Sequence, residues 1–296
     1  SAVFPLVLLA AFAPFLSGCW DSTEVNDLAV ITAIGLDLTE ERELELSVKI
    51  YLISPSVSQQ AGTMTEPSGG GDRKSVVRTA KGVNMADAAS KLQPDITRRV
   101  FWGQAEVILF GRRLAEEGLE DVMDFLMRHH APRERSLVFV SEGAAKDVLL
   151  LNPPIERSIA DALREMAAAQ TGLNITMKDL AQMMAGRSGA EVLPVVKIKT
   201  DPEQASFAYI DGAAVLKRGK MVGSLSAAET RGVMWLRNEI KKAAVTVSPD
   251  ESQGHVTVHL LRNRTELIPH IRGGDWSVTV RIQSRDEVIE NTSNLD

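Results

Sequence analysis

The run from Ala2 to Leu16 carries no charge, and the only cysteine of the 296-residue chain, Cys19, lies just beyond it. The run is too short to cross a hydrocarbon core of about 30 Å, which takes about 20 helical residues. Pro5 and Pro14 also interrupt helical hydrogen bonding within it. A short apolar core followed by small residues is the pattern of a secretory signal. The folded body is therefore expected to begin after residue 18, with residues 1–18 as signal peptide. The chain opens at Ser1, with no Met and no basic stretch, so the extreme N-terminus is expected to have been trimmed.

Leu16-Ser17-Gly18-Cys19 resembles the bacterial lipobox. In signals of that kind the cysteine thiol receives a diacylglyceryl group. Cleavage between Gly18 and Cys19 then leaves Cys19 as the new N-terminus. Each buried CH₂ contributes about 0.8 kcal/mol, and one acyl chain alone binds reversibly, so two chains on one sulfur make a firm anchor. The alternative is a plain secretory signal with an incidental cysteine. The fit at all four positions favours lipid. A lone cysteine rules out an intramolecular disulfide framework. Trp20 has two readings: an indole at headgroup level beside the acyl chains, or a side chain packed into the first domain.

The charge balance, 33 Lys+Arg against 39 Asp+Glu for a net of -6, argues against general affinity for nucleic acid and against a polybasic membrane patch. After the signal, enough chain remains for two ordinary domains. No later segment is long and apolar enough to cross a bilayer as a helix.

Glu43 to Ile53 alternates, with Leu44, Leu46, Val48, Ile50 and Leu52 on one face and Glu45, Ser47, Lys49 and Tyr51 on the other. Period-two alternation predicts a half-buried strand. With the β-rich stretch Leu28 to Thr39 before it, the pair reads as a hairpin. Ser54 to Lys74, with Pro55, Pro67 and Gly69-Gly70-Gly71, reads as a surface loop; without Gly-Lys-Ser/Thr the glycines are no phosphate cradle. Strands are expected at Ser75–Lys81, Arg99–Phe110, Leu137–Val140 and Glu191–Lys199. Helices are expected at Asn84–Gln93, Leu119–His130, Ala144–Leu151, Ile155–Gln170 and Thr176–Ala185. The order predicts an α+β, multi-domain chain with mixed and antiparallel sheets and helices packed on one face.

Residues 19–200 form the first domain in this reading, with a helical subdomain over about 144–190. The Pro202-bearing stretch Asp201 to Ser206 is the boundary. Residues 201–296 are expected to start a second α+β domain that is truncated in this sequence. Its features are a Phe207–Leu216 and Lys220–Leu225 hairpin turning at Gly219, and a helix to about Ile240 opened by a Ser226/Glu229 capping box. Strands follow at Ala243–Val247, His255–Leu261, Glu266–Ile271 and Trp276–Ile282.

No catalytic constellation emerges. His129 and His130 adjoin at a helix end and point in different directions. His255 and His259 share a strand face without a completing ligand nearby. Met123 and Met127, and Met177, Met183 and Met184, read as core filling. No HExxH, Gly-x-Ser-x-Gly or Walker pattern occurs. No catalytic, metal or cofactor-binding residue is assigned, and no cofactor is expected beyond the covalent lipid on Cys19.

Four segments resemble the Ger(x)C lipoproteins, the C subunits of spore germinant receptors. They are Gly18-Cys19-Trp20-Asp21 through Ile34-Gly35-Leu36-Asp37; Phe101-Trp102-Gly103-Gln104 through Leu114 to Arg128; Pro153-Pro154-Ile155-Glu156; and Gly212 to Lys217 through Gly223 to Glu229-Thr230-Arg231-Gly232-Val233-Met234-Trp235-Leu236. The resemblance implies a non-enzymatic lipoprotein on the outer face of the spore inner membrane. It implies assembly with two membrane-embedded partners, the A and B subunits, in sensing nutrients. Only the role of Cys19 transfers residue by residue. The family's chain normally continues past residue 296.

The competing reading is an anchored solute-binding lipoprotein, which would show two lobes of repeated βα units around a cleft. The hairpins and terminal antiparallel strands here do not fit it. An anchored hydrolase lacks a nucleophile-base pair.

Overall fold

Leu28–Leu38 (β1) and Leu44–Tyr51 (β2) pair antiparallel, from Leu38 opposite Leu44 to Val30 opposite Tyr51, and make the expected hairpin. The computed structural model describes residues 27–51, 75–128, 132–169, 172–200, 206–240, 243–249 and 254–293. Ser75–Gly82 (β3) adds antiparallel to β2. Asn84 then caps Met85–Leu92 (α1), its Oδ1 accepting the Asp87 N–H at 2.9 Å.

The single strand expected from Arg99 to Phe110 is two, Arg99–Phe101 (β4) and Val107–Gly111 (β5), both parallel to β1. Trp102, Gly103 and Gln104 turn between them, with the Ala105 N–H donating to Trp102 O. Arg112–Glu117 (α2), Glu120–Arg128 (α3), Leu137–Ser141 (β6), Ala145–Leu150 (α4), Ile159–Ala168 (α5), Met177–Ala185 (α6) and Ala190–Lys199 (β7) follow. A Thr176/Asp179 capping box opens α6. The helix expected from Ile155 starts only at Ile159, because Ser158 is its cap.

Phe207–Lys217 (β8) and Lys220–Leu225 (β9) form the second expected hairpin, with Arg218 at φ 50° and Gly219 at φ 73°. Both central residues sit in the left-handed region that such a two-residue turn requires. Ser226 and Glu229 cap Ala227–Leu236 (α7) reciprocally. Asn238, at φ 59°, follows the end of α7, which falls short of Ile240. Ala244–Val247 (β10), Val256–Arg272 (β11) and Asp275–Asn291 (β12) complete the described chain.

The larger sheet runs β3-β2-β1-β5-β6-β7-β8-β9, with β4 beside β1. Its centre is parallel and its flanks antiparallel. The α+β class with mixed sheets is thus what the chain adopts. The helices, expected on one face, divide between two. Val107 to Phe110 and Leu137 to Val140 are unbroken apolar runs, and strands of that kind must be covered on both sides. Ile34, Leu36, Ile108, Phe110, Val138 and Val140 share a core with α1, α2, α3, α6 and α7. Ala33, Val107, Leu109, Leu137 and Phe139 share the opposite core with α4 and α5. The helices of residues 144–190 therefore contribute to both cores.

β7 and β8, on either side of residues 201–205, pair from Ala190 opposite Lys217 to Lys199 opposite Phe207. A separate sheet, β10-β11-β12, is built wholly from residues 244–291. There, the stretches expected as two strands, His255–Leu261 and Glu266–Ile271, fall, apart from His255, on one continuous β11; the pairing absorbs irregularities at Thr257/Val258 and Leu260/Arg262 as register shifts.

Candidate functional site

Gly18 and Cys19, the predicted cleavage and lipid-attachment residues, lie outside the described residues, as do Trp20, His129, His130 and Gly69 to Gly71. Parts of the other singled-out segments fall in three places on the folded body.

The first is the seat of α4. Asp37, at the end of β1, turns its carboxylate onto the helix start, where Oδ1 accepts the Ala145 N–H at 2.7 Å and Oδ2 the Lys146 N–H at 3.0 Å. At the other end Lys49 of β2 donates from Nζ to Leu149 O at 2.8 Å. A negative group at the helix start and a positive one at its end both complement the helix dipole. Gly35 lets the helix approach: a Cβ there would lie 3.0 Å from Leu149 Cδ1 and 3.3 Å from Ala145 Cβ. Gly111 makes room for Asp37, since a Cβ at that position would collide with Oδ1. Burial pushes the Asp37 carboxyl above its ordinary value, opposed by the two N–H donors and reinforced by Glu45 and Asp147. Burial lowers the Lys49 ammonium. Ser47 and Lys49, expected on an open face of β2, are covered by this arrangement.

The second place is a groove of about 590 Å³ between α1, α3 and the β1–β2 turn. Leu38, Leu44, Met85, Leu114, Val122 and Phe125 supply apolar lining, and Glu117, Asp121 and Asp124 polar lining. Arg42 pairs with Glu117 and Arg128 with Asp124 beside it.

The third is a cavity of about 350 Å³ beside α7, lined by Gly212 of β8 and by Thr230, Arg231 and Met234 of the helix. Ile240 and Ala243 close it on the side of the smaller sheet.

Met123 and Met177 are buried in the core, Met183 and Met184 pack against it, and Met127 is exposed. His255 Nδ1 lies 2.8 Å from Ser248 Oγ, while His259 stands opposite Glu287 in the β11–β12 ladder. Among the described residues, no three His, Cys, Asp or Glu side chains gather in a metal-binding arrangement.

One surface was not anticipated. Leu267, Pro269 and Ile271 stand opposite Val280, Val278 and Trp276, so one face of the β11–β12 hairpin is apolar. It is open to solvent, with Ile271 and Trp276 both 80% exposed. The alternation from Trp276 to Ile282 was visible in the sequence; that nothing described covers it was not.

Comparison with known proteins agrees with this fold. The family described as Spore germination protein N-terminal domain matches residues 21–198, and that described as Spore germination B3/ GerAC like, C-terminal, matches residues 211–296. The putative spore germination protein YfkR of Bacillus subtilis (strain 168) is 25% identical over 99% of this chain and 76% of its own length. Spore germination protein KC of the same organism is 27% identical over 93% and 72% respectively. The crystal structure of the GerBC protein superposes with a TM-score of 0.52 at 18% identity, covering 92% of this chain and 76% of that one, and so shares its fold.

An α+β body in which these two regions follow one another defines a spore germination protein. The chain belongs to the Ger(x)C family.

Proposed function

We propose that this chain is the C subunit of a nutrient germinant receptor, held at the outer face of the spore inner membrane by lipid on Cys19. In this reading it assembles with the membrane-embedded A and B subunits and helps to trigger germination by contact rather than by catalysis. The observation that carries the reading is one of order. A lipobox-like Leu16-Ser17-Gly18-Cys19 is followed directly by a germination-domain match beginning at residue 21. No helix among the described residues is long and apolar enough to cross a membrane, which makes a covalent anchor a natural means of attachment.

The test is Cys19→Ala in spores. The variant is expected to leave the membrane fraction, to stop co-purifying with the A and B subunits, and to blunt the nutrient response. Retention at the membrane together with a normal response would overturn the anchor. Loss of the anchor without any effect on co-purification would separate anchoring from assembly.

A further inference from the structure

We infer that the end of the larger sheet at which β1 begins is a bilayer-contacting surface, where Tyr51, Phe101 and Ile155 meet the phospholipid interface. The inference rests on the proposed lipid at Cys19. Leu28, the first residue of β1, follows Cys19 by nine positions, a span of at most about 32 Å. β1 is itself 11 residues long, about 36 Å of strand. A lipid on Cys19 therefore keeps the start of β1 near the headgroups, and the β1–β2 turn is the end free to stand away.

The side chains at the near end suit that position. Val30 stands opposite Tyr51 of β2 and also opposite Phe101 of β4. Residues paired in this way point to one face of a sheet. Lys49, two residues before Tyr51, shares that face, which is the one α4 covers. α4 starts at Asp37, toward the far end of β1, and ends at Lys49. The chain leaving it therefore arrives at the near end, where Asn152 Oδ1 lies 3.4 Å from Lys49 Nζ. Pro153, Pro154 and Ile155 come next. Ile155 is 90% exposed, Phe101 39% and Tyr51 37%. Aromatic rings are favoured at the membrane–water interface, tyrosine and tryptophan above all. A bare isoleucine gains by entering the acyl boundary. Arg99, opposite Leu28, is exposed on the same face and has no side-chain partner among the described residues. A headgroup phosphate fits its guanidinium. Asp27 and Glu156 bring acid to the same end, so the contact is apolar first and does not require anionic lipid.

The test uses the full chain, lipidated by a bacterial host and reconstituted without other proteins into phosphatidylcholine vesicles. Lipid on Cys19 blocks the only native thiol, so Ile155→Cys offers a single site to a polarity-sensitive dye. Val83→Cys is the control. Val83 is exposed and follows Gly82, which pairs with Leu44 beside the β1–β2 turn. The dye at position 155 is expected to emit at shorter wavelength on vesicles and to be quenched by nitroxide-bearing lipid. The dye at position 83 is expected to do neither. Tyr51→Ser, at the end of β2, should weaken the quenching at 155. Equal quenching at the two positions, or none at 155, would overturn the inference. A wavelength shift at 155 without quenching would assign its cover to another part of this chain or to a second copy, and would overturn it as well. Dye uptake by the parent chain would report a free Cys19 thiol, removing the anchor and this inference with it. An unlabelled parent with no quenching at 155 would remove the inference and leave the anchor standing.

Discussion

Asp37 and Lys49 stand on neighbouring strands and hold opposite ends of the same six-residue helix, α4. A helix this short has little stability of its own, because nucleation is costly. Its position depends on those two side chains and on the apolar contacts of Ala145, Val148 and Leu149. Asp37→Ala leaves the Ala145 and Lys146 N–H groups without their acceptor. The expected loss is about 2 kcal/mol, read by chemical denaturation of the isolated chain. An unchanged midpoint would show that the helix is held by packing alone.

The same carboxyl makes stability depend on pH. Its folded pKa is raised from the ordinary 3.8, chiefly by burial, so the native state keeps the proton that the unfolded chain has already released. Stability from this group is fully present below 3.8 and is lost as pH climbs through the raised value. Asp37→Asn should flatten that part of the profile. Lys49 acts in the opposite sense at alkaline pH. Its lowered value means that the native state sheds a proton first, so stability rises with pH up to 10.5, and Lys49→Met should remove that rise. Matching curves for wild type and variant in either window would contradict the assignment.

Gly35→Ala places a methyl group 3.0 Å from Leu149 Cδ1 on the underside of α4. The helix must lift or the leucine must leave its rotamer. Overpacking of this kind costs about 1–3 kcal/mol, measurable as a fall in melting temperature. Gly111→Ala is expected to be at least as damaging, since its methyl would displace the Asp37 carboxylate itself.

Asn238 ties the turn after α7 to β11 of the smaller sheet. Its Nδ2 donates to Thr265 O at 3.1 Å and its Oδ1 accepts the Thr265 N–H at 2.6 Å, in the manner of a neighbouring strand. Its φ of 59° suits asparagine better than most residues. Asn238→Ala should cost about 2 kcal/mol. It should also increase amide exchange at Thr265 relative to the strands of the larger sheet.

Trp276, by contrast, is 80% exposed and contributes little to the described fold. Trp276→Ser is expected to change stability by less than about 0.5 kcal/mol. It should lower binding of a hydrophobic dye and reduce self-association seen by light scattering, because it shrinks the apolar face of the hairpin.

Much of this architecture was legible from local signals. Asn84 and the Ser226/Glu229 pair marked helix starts, Thr176 and Asn174 both stood as caps for α6 until the fold chose Thr176, and Lys217-Arg218-Gly219 marked a tight turn. Each depends on neighbours within a few residues, so the sequence displays it directly. Coverage of the sheet did not have that property. Lys49 looked like a solvent-facing residue of an alternating strand, and its cover comes from a helix 100 residues away. The split of Arg99–Phe110 was hidden for a related reason. Most of the run is apolar, and Gly103 with the polar Gln104 and Glu106 after it was the local hint of a turn. Asp37 was visible as part of a resemblance, but its work on α4 required the fold. The cavity beside α7 was equally hidden, since it depends on Gly212 of β8 meeting Thr230 of the helix across a hairpin.

The antiparallel union of β7 with β8 bears on how the protein can be divided. The two family regions part between residues 198 and 211, yet β8 and β9 are the outer strands of the sheet that the first region builds. A fragment severed at residue 200 would leave the hydrogen-bonding edge of β7 bare, inviting strand-to-strand aggregation. Dissection would be better served by keeping Phe207 through Leu236 with the amino-terminal piece, so that recombinant halves follow the sheets rather than the family limits.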